Sequence, residues 1–379
     1  MHLHIKASRT YALFFLLFPS IVSAQTDSPC SHCSLDFPAH GYGICFGNSA
    51  RYSGIRFNWS DDCLEEVNGV NFTIWVPGER MTGAINGIAF GLGAVGGEKI
   101  NGVAFGLGGV FAGHNLSGVS IGGFAVVSSG DAAGVTFSGM GTVVAGNLAG
   151  FNFGGLGCMS GGEMTGISIG PLGLVGGKNI EGVNLSGIGA IAAQDFTGIN
   201  FGGFGLVAGG GLRGLNIGGL GLVGSGQING LNIGGLAVVA VGPVKFATLA
   251  GLAVVGLGGV EGLTVAGGAI VSKENVTGVT ITLGAVQSTK SVSGLTFAGY
   301  RTKADCVYGV DLNVVATQVQ CARGIVTGIY NRVYDTQSGL SIGIFNHADN
   351  LYGVQIGILN YAENNPAGLK ILPLLNAHF

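Results

Sequence analysis

Residues 198–233 read GINFGGFGLVAGGGLRGLNIGGLGLVGSGQINGLNI. The phrase glycine, apolar, Asn, apolar opens at Gly198, Gly214 and Gly230, at intervals of sixteen residues. Outward from this stretch, a glycine followed by an apolar, a variable and a second apolar residue keeps the same spacing through Gly102, Gly118, Gly134, Gly150, Gly166 and Gly182. The phrase also stands at Gly69 and Gly87. Later it drifts through Gly262, Gly278, Gly294, Gly309, Gly324, Gly339, Gly353 and Gly368, with one imperfect copy at Phe246-Ala247-Thr248-Leu249. About twenty units fill residues 69–371, and self-similarity at so short a period marks one repeat array, not a string of globular domains.

Within the unit that starts at Gly214, Leu215 and Ile217 alternate with polar or small residues, as do Leu220 and Leu222. Alternation breaks at Gly218-Gly219 and again across Gly224-Ser225-Gly226. Short alternating runs predict β-strands, and the glycines between them predict corners. Short strands, corners and apolar residues turned inward throughout predict an all-β fold, a β-solenoid of about twenty coils. The competing architecture is a transmembrane antiparallel β-barrel, which suits export, high hydropathy and a terminal Phe379. A barrel strand needs about 9–11 residues with one continuous apolar face. The breaks at the Gly-Gly pairs would demand a bulge in nearly every strand, so the solenoid is the simpler reading.

Stacking makes further predictions. Two residues after each anchor runs a small polar column that includes Asn184, Asn200, Asn216, Asn232, Thr264, Thr280 and Thr296. It is expected to form amide and hydroxyl ladders on a polar surface open to a partner. Cys306 and Cys321 lie one local repeat apart, each three residues before its anchor. Stacked coils would bring them within disulfide reach, whereas barrel strands would not.

The composition excludes several classes. Of 379 residues 75 are glycine and only 9% are charged, too few for a disordered or nucleic-acid-binding chain. Residues 1–24 read as a signal peptide: a basic start with Lys6 and Arg9, a short apolar run from Tyr11 to Val22, then Val22-Ser23-Ala24. Residues 25–66 form a cysteine-rich amino-terminal cap. There Cys30, Cys33, Cys45 and Cys63 are expected to make two disulfides in an oxidising compartment, since their spacing is not that of a zinc finger or ribbon. Residues 67–300 are the regular array, and 301–379 hold variant repeats and a carboxy-terminal cap. Gly91-Leu92-Gly93-Ala94-Val95-Gly96 matches a dinucleotide fingerprint by chance alone in so glycine-rich a chain. The paired acids Asp61-Asp62 and Glu65-Glu66 read as a solvated turn. No cofactor, metal or catalytic residue is predicted.

The tail reads GLSIGIFNHADN from Gly339, GVQIGILNYAEN from Gly353 and then GLKILPLLNAHF. With the GLNIGGLGLVG units and the segment GIRFNWSDDCLEEVNGVNFTIW from Gly54, it resembles a family of bacterial surface-repeat proteins of leptospiral type. The resemblance implies an envelope or cell-surface location and no established activity. The expected role is structural, adhesive or partner-binding, toward a surface ligand or envelope component with possible outer-membrane association. A pore or envelope platform is the alternative that goes with the barrel.

Overall fold

The computed structural model describes residues 34–39, 41–78 and 81–379. The expected signal segment, Cys30 and Cys33 lie outside the described residues. All regular structure among the described residues is β. Each regular coil has a long strand and a short one, as in Leu212–Gly218 and Gly221–Gly224. Both pair in parallel with the next coil at an offset of one repeat: Leu212 faces Ile228, Asn216 faces Asn232 and Leu222 faces Val238. The protein is therefore a β-solenoid, and parallel pairing throughout the array rules out an antiparallel barrel.

The anchors form one ladder, in which Gly43 pairs with Gly54, Gly54 with Gly69, and so on to Gly339 with Gly353. Stacking thus begins ahead of residue 67, inside the segment read as a cysteine-rich amino-terminal cap. Gly214 has φ of +105°, and a Cβ built on it would lie 2.2 Å from the Gly198 carbonyl oxygen. The left-handed conformation and the close approach of successive coils both select glycine there.

Side-chain direction departs from the expectation in an informative way. The residues two before and eight after the anchor face inward: Leu212, Leu222, Ile228 and Val238 are all fully buried. The residues directly after the anchor and two further on face outward, with Leu231 45% and Phe201 42% exposed. Large apolar residues are therefore not all turned inward; about half of them coat the outside. A sixteen-residue coil encloses few side chains, so the remaining inward positions are small, such as Gly218, Ala250 and Ser272.

Both ends of the parallel stack carry an antiparallel strand. Ser34–Ala39 lies on Tyr42–Gly47, and Ile371–His378 lies on Phe345–Ala362. Each end strand contains a proline, Pro38 or Pro373, which offers no N–H to a further strand. An end strand of this kind discourages continued stacking onto another chain.

Cys306 pairs in register with Cys321 and is bonded to it, with Cα atoms 4.6 Å apart. Cys63 is also disulfide-bonded. Cys45 is not: it is a buried free thiol, so the four amino-terminal cysteines do not form two bonds among themselves. Burial, with Asp36 nearby, pushes the Cys45 thiol up to about 11. Cys158 is likewise free and buried, and desolvation raises it to about 12, an inert thiol that fills a core position.

Candidate functional site

The polar column does not make a surface. Asn184, Asn200, Asn216 and Asn232 are at most 1% exposed, and Thr264, Thr280 and Thr296 at most 2%. They line the inside of the coils. The ladder itself is present: Asn184 Nδ2 donates to Asn200 Oδ1 at 2.9 Å, Asn200 to Asn216 at 2.9 Å and Asn216 to Asn232 at 3.0 Å. Within the ladder each amide bonds its copy in the neighbouring coil; at its ends Asn232 Nδ2 donates to the Gly230 carbonyl and Asn184 Oδ1 is left without a partner. A second interior ladder runs from Asn331 to Asn346 (2.8 Å) and on to Asn360 (2.7 Å), a set that the sequence reading missed. Its signal was visible in the recurring Ile-Phe-Asn and Ile-Leu-Asn of the last units.

Charged members of the same interior column stand near its two ends. Arg56, two residues after Gly54, is fully buried and donates to Asp61 Oδ1 at 2.6 Å and Asn71 Oδ1 at 2.8 Å. Asp61 also accepts from Thr73 Oγ1 at 2.6 Å. The Asp61-Asp62 pair was expected in a solvated turn; instead Asp61 is the buried counter-ion of Arg56. At the other end Asp311 is fully buried and accepts from Thr302 Oγ1 at 2.9 Å and from Asn313 Nδ2 at 2.7 Å. Its donors occupy columns that hold small or apolar residues in the central coils. The chain has thus turned several inward positions polar together.

Burial pushes Asp311 up to about 6, against three hydrogen bonds that favour its ionised form. A carboxyl whose folded pKa is raised contributes its full stability below its unfolded pKa, near 4. That contribution is lost as pH climbs through about 6. Asp311→Asn, which installs the residue common elsewhere in this column, is expected to stabilise the fold by about 1–3 kcal/mol at pH 7.5 and to have little effect at pH 4. Urea unfolding of both proteins at the two pH values checks this; a stability difference that does not change with pH would remove the assignment.

The outer surface is divided along its length. From Ile88 to Tyr300 every Asp, Glu, Lys and Arg falls within the five residues ahead of an anchor. These positions form the solvated corner of the coil. There Asp131 Oδ1 accepts the Asn147 N–H of the next coil at 2.7 Å, Asn147 Oδ1 accepts that of Glu163 at 2.9 Å, and Lys245 pairs with Glu261 at 3.2 Å. The opposite flank carries no charge. It is built from the two outward columns of the long strand, the outward column of the short strand, and a ridge of corner residues between them. The ridge includes Phe124 at 62%, Phe204 at 57%, Leu220 at 48% and Leu252 at 58% exposure.

In the first coils this flank is aromatic. Phe46, Phe57, Phe72, Phe90 and Phe105 follow one another with ring centroids 4.8–5.5 Å apart. Trp59 and Trp75 run beside them at 6.2 Å. A cleft of about 260 Å³ separates the two rows. Farther along, a groove of about 450 Å³ lies between the ridge residues Leu172, Ile188 and Phe204 and the column Ile191, Val207 and Val223. No group of three His, Cys, Asp or Glu side chains among the described residues is placed to share a metal ion. The chain matches no family model, no curated protein and no solved structure.

Proposed function

We infer that the protein is an exported repeat protein displayed at a bacterial envelope or cell surface, where it acts as a structural, adhesive or partner-binding rod without catalytic chemistry. The observation that carries this reading is the uncharged apolar flank, which continues from coil to coil over more than 200 residues. So long an exposed apolar strip on a folded chain signals an interaction surface. Several charged side chains are paired, Lys245 with Glu261 and Lys290 with Glu274 in the solvated corner and Arg56 with Asp61 inside the coils. The Cys306–Cys321 bond agrees with an oxidising compartment. The signal-like start and the tail that resembles surface-repeat proteins point to export.

Cell fractionation tests the reading. The mature chain is expected to begin at Gln25, to partition with the envelope, and to be shaved by protease added to intact cells. Recovery from the cytosol with residues 1–24 still attached, and with Cys306 and Cys321 reduced, would overturn it.

A further inference from the structure

We propose that the apolar flank seats the solenoid lengthwise on a lipid bilayer, with the corner ridge sunk among acyl chains and the charged corner left in water. The proposal deepens the exported-rod reading and rests on it for a bilayer within reach. Three properties of the flank fit lipid better than any other partner.

The first is charge. The eleven residues from each anchor through the ridge to the end of the short strand contain no Asp, Glu, Lys or Arg in any coil between Gly102 and Ser288. The opposite corner holds acids and bases together, as in Lys245–Glu261 and Lys290–Glu274. This division is the one an interfacial element needs, with an apolar face for the acyl boundary and a polar face for water. The mixed signs predict affinity for neutral lipid that does not depend on anionic headgroups.

The second is backbone satisfaction. Hydrocarbon supplies no hydrogen bonds, so only a surface with its own N–H and C=O groups paired can enter it. The ridge meets that condition in most coils, with breaks in the coil-to-coil ladder at Ile188 and at Gly284, whose N–H turns to Thr282 Oγ1. Phe204 N–H donates to the Ile188 carbonyl at 2.5 Å, Leu220 to Phe204 at 2.6 Å, and Leu236 to Leu220 at 2.7 Å.

The third is shape. The ridge stands at a corner with an apolar face on either side, so the flank is convex. A flat partner, including a second copy, would cover one face. At four residues of about 3.3 Å by twelve coil spacings of about 4.8 Å, that is about 750 Å². Such an area is within the ~600–1,000 Å² per partner of standard interfaces, but the ridge and the second face would stay wet. A fluid bilayer wraps the ridge and both faces. The grooves beside the ridge, lined by Leu172, Ile188 and Phe204, have the apolar walls an acyl chain would follow.

Flotation of the purified mature protein with vesicles of pure phosphatidylcholine tests this. Binding is expected at low and high salt alike. The exposed-ridge variant Phe204→Lys/Leu220→Lys/Leu236→Lys should lower the bound fraction at least about tenfold. The same number of charges on the water-facing corner, as in Thr197→Lys/Thr277→Lys/Ser293→Lys, should leave it unchanged. Circular dichroism of all three proteins confirms that they are folded. Folded wild-type protein that fails to float overturns the proposal, as does equal loss in both variants. So does self-association without vesicles that the ridge lysines abolish, since the occupant is then a second copy. A protein that is surface-exposed on cells but does not float removes the lipid seat and leaves the rod reading standing.

Discussion

Gly214→Val is expected to cost at least about 3 kcal/mol and to open the stack at that coil. A β-branched residue resists the +105° φ of this position, and its Cβ would sit 2.2 Å from the carbonyl oxygen of Gly198. Relief requires the two coils to move apart, which weakens the parallel hydrogen bonds on either side and the packing of Leu212 on Ile228. Because each coil touches only its neighbours, damage of this size divides the rod into two shorter arrays. Limited proteolysis should then cut near residues 209–211, and the thermal transition should broaden or split.

The chain contains its own counter-experiment. Phe246 occupies the anchor position of its coil with φ of +78° and its side chain 70% exposed. It carries the strain and gains little from burial. Phe246→Gly is therefore expected to raise stability by about 1 kcal/mol. Should the valine variant unfold like the wild type, or the glycine variant be the weaker one, the anchor position is not what holds successive coils in register.

The second large effect is expected from Asn200→Asp. Asn200 accepts from Asn184 and donates to Asn216, both at 2.9 Å, in a fully buried column. An aspartate keeps the first bond and replaces the second with two facing oxygens, and it places a charge where the neighbouring inward positions are Gly202 and Leu206. Asp311 is tolerated because Thr302 and Asn313 turn donors toward it, whereas an aspartate at 200 would keep only the donor from Asn184. A loss of about 3–5 kcal/mol is expected at pH 7. The introduced carboxyl has a raised folded pKa, so its destabilisation is least at low pH, where the protonated acid can donate to Asn216, and grows as pH rises. Denaturant titrations at pH 4 and pH 7 check the sign. A loss of equal size at both values would show that the ladder works by packing alone.

These two positions also divide what was legible in the sequence from what was not. Gly214 announces itself: one glycine in sixteen, held at the same spacing over most of the chain. The period, the all-β class, the stacked solenoid and the Cys306–Cys321 pairing follow from it, since parallel stacking maps equal places in successive repeats onto one another. Asn200 was equally conspicuous, but its direction was misread. Taken alone, an Asn column beside Leu and Ile columns suggests amides in water and aliphatic groups in the core.

Only the tertiary structure decided which side of the coil wall each column occupies. An amide can be buried when an identical amide lies one coil above to accept its hydrogen bond, and that partner exists only after stacking. The narrow bore admits just one large column per strand, so the second set of aliphatic residues is turned outward. The sequence by itself determined that the chain repeats, stacks and is cross-linked at Cys306 and Cys321. Its interior polar ladders and its apolar outer flank were decided by the geometry of sixteen-residue coils packed at the spacing of a β-sheet.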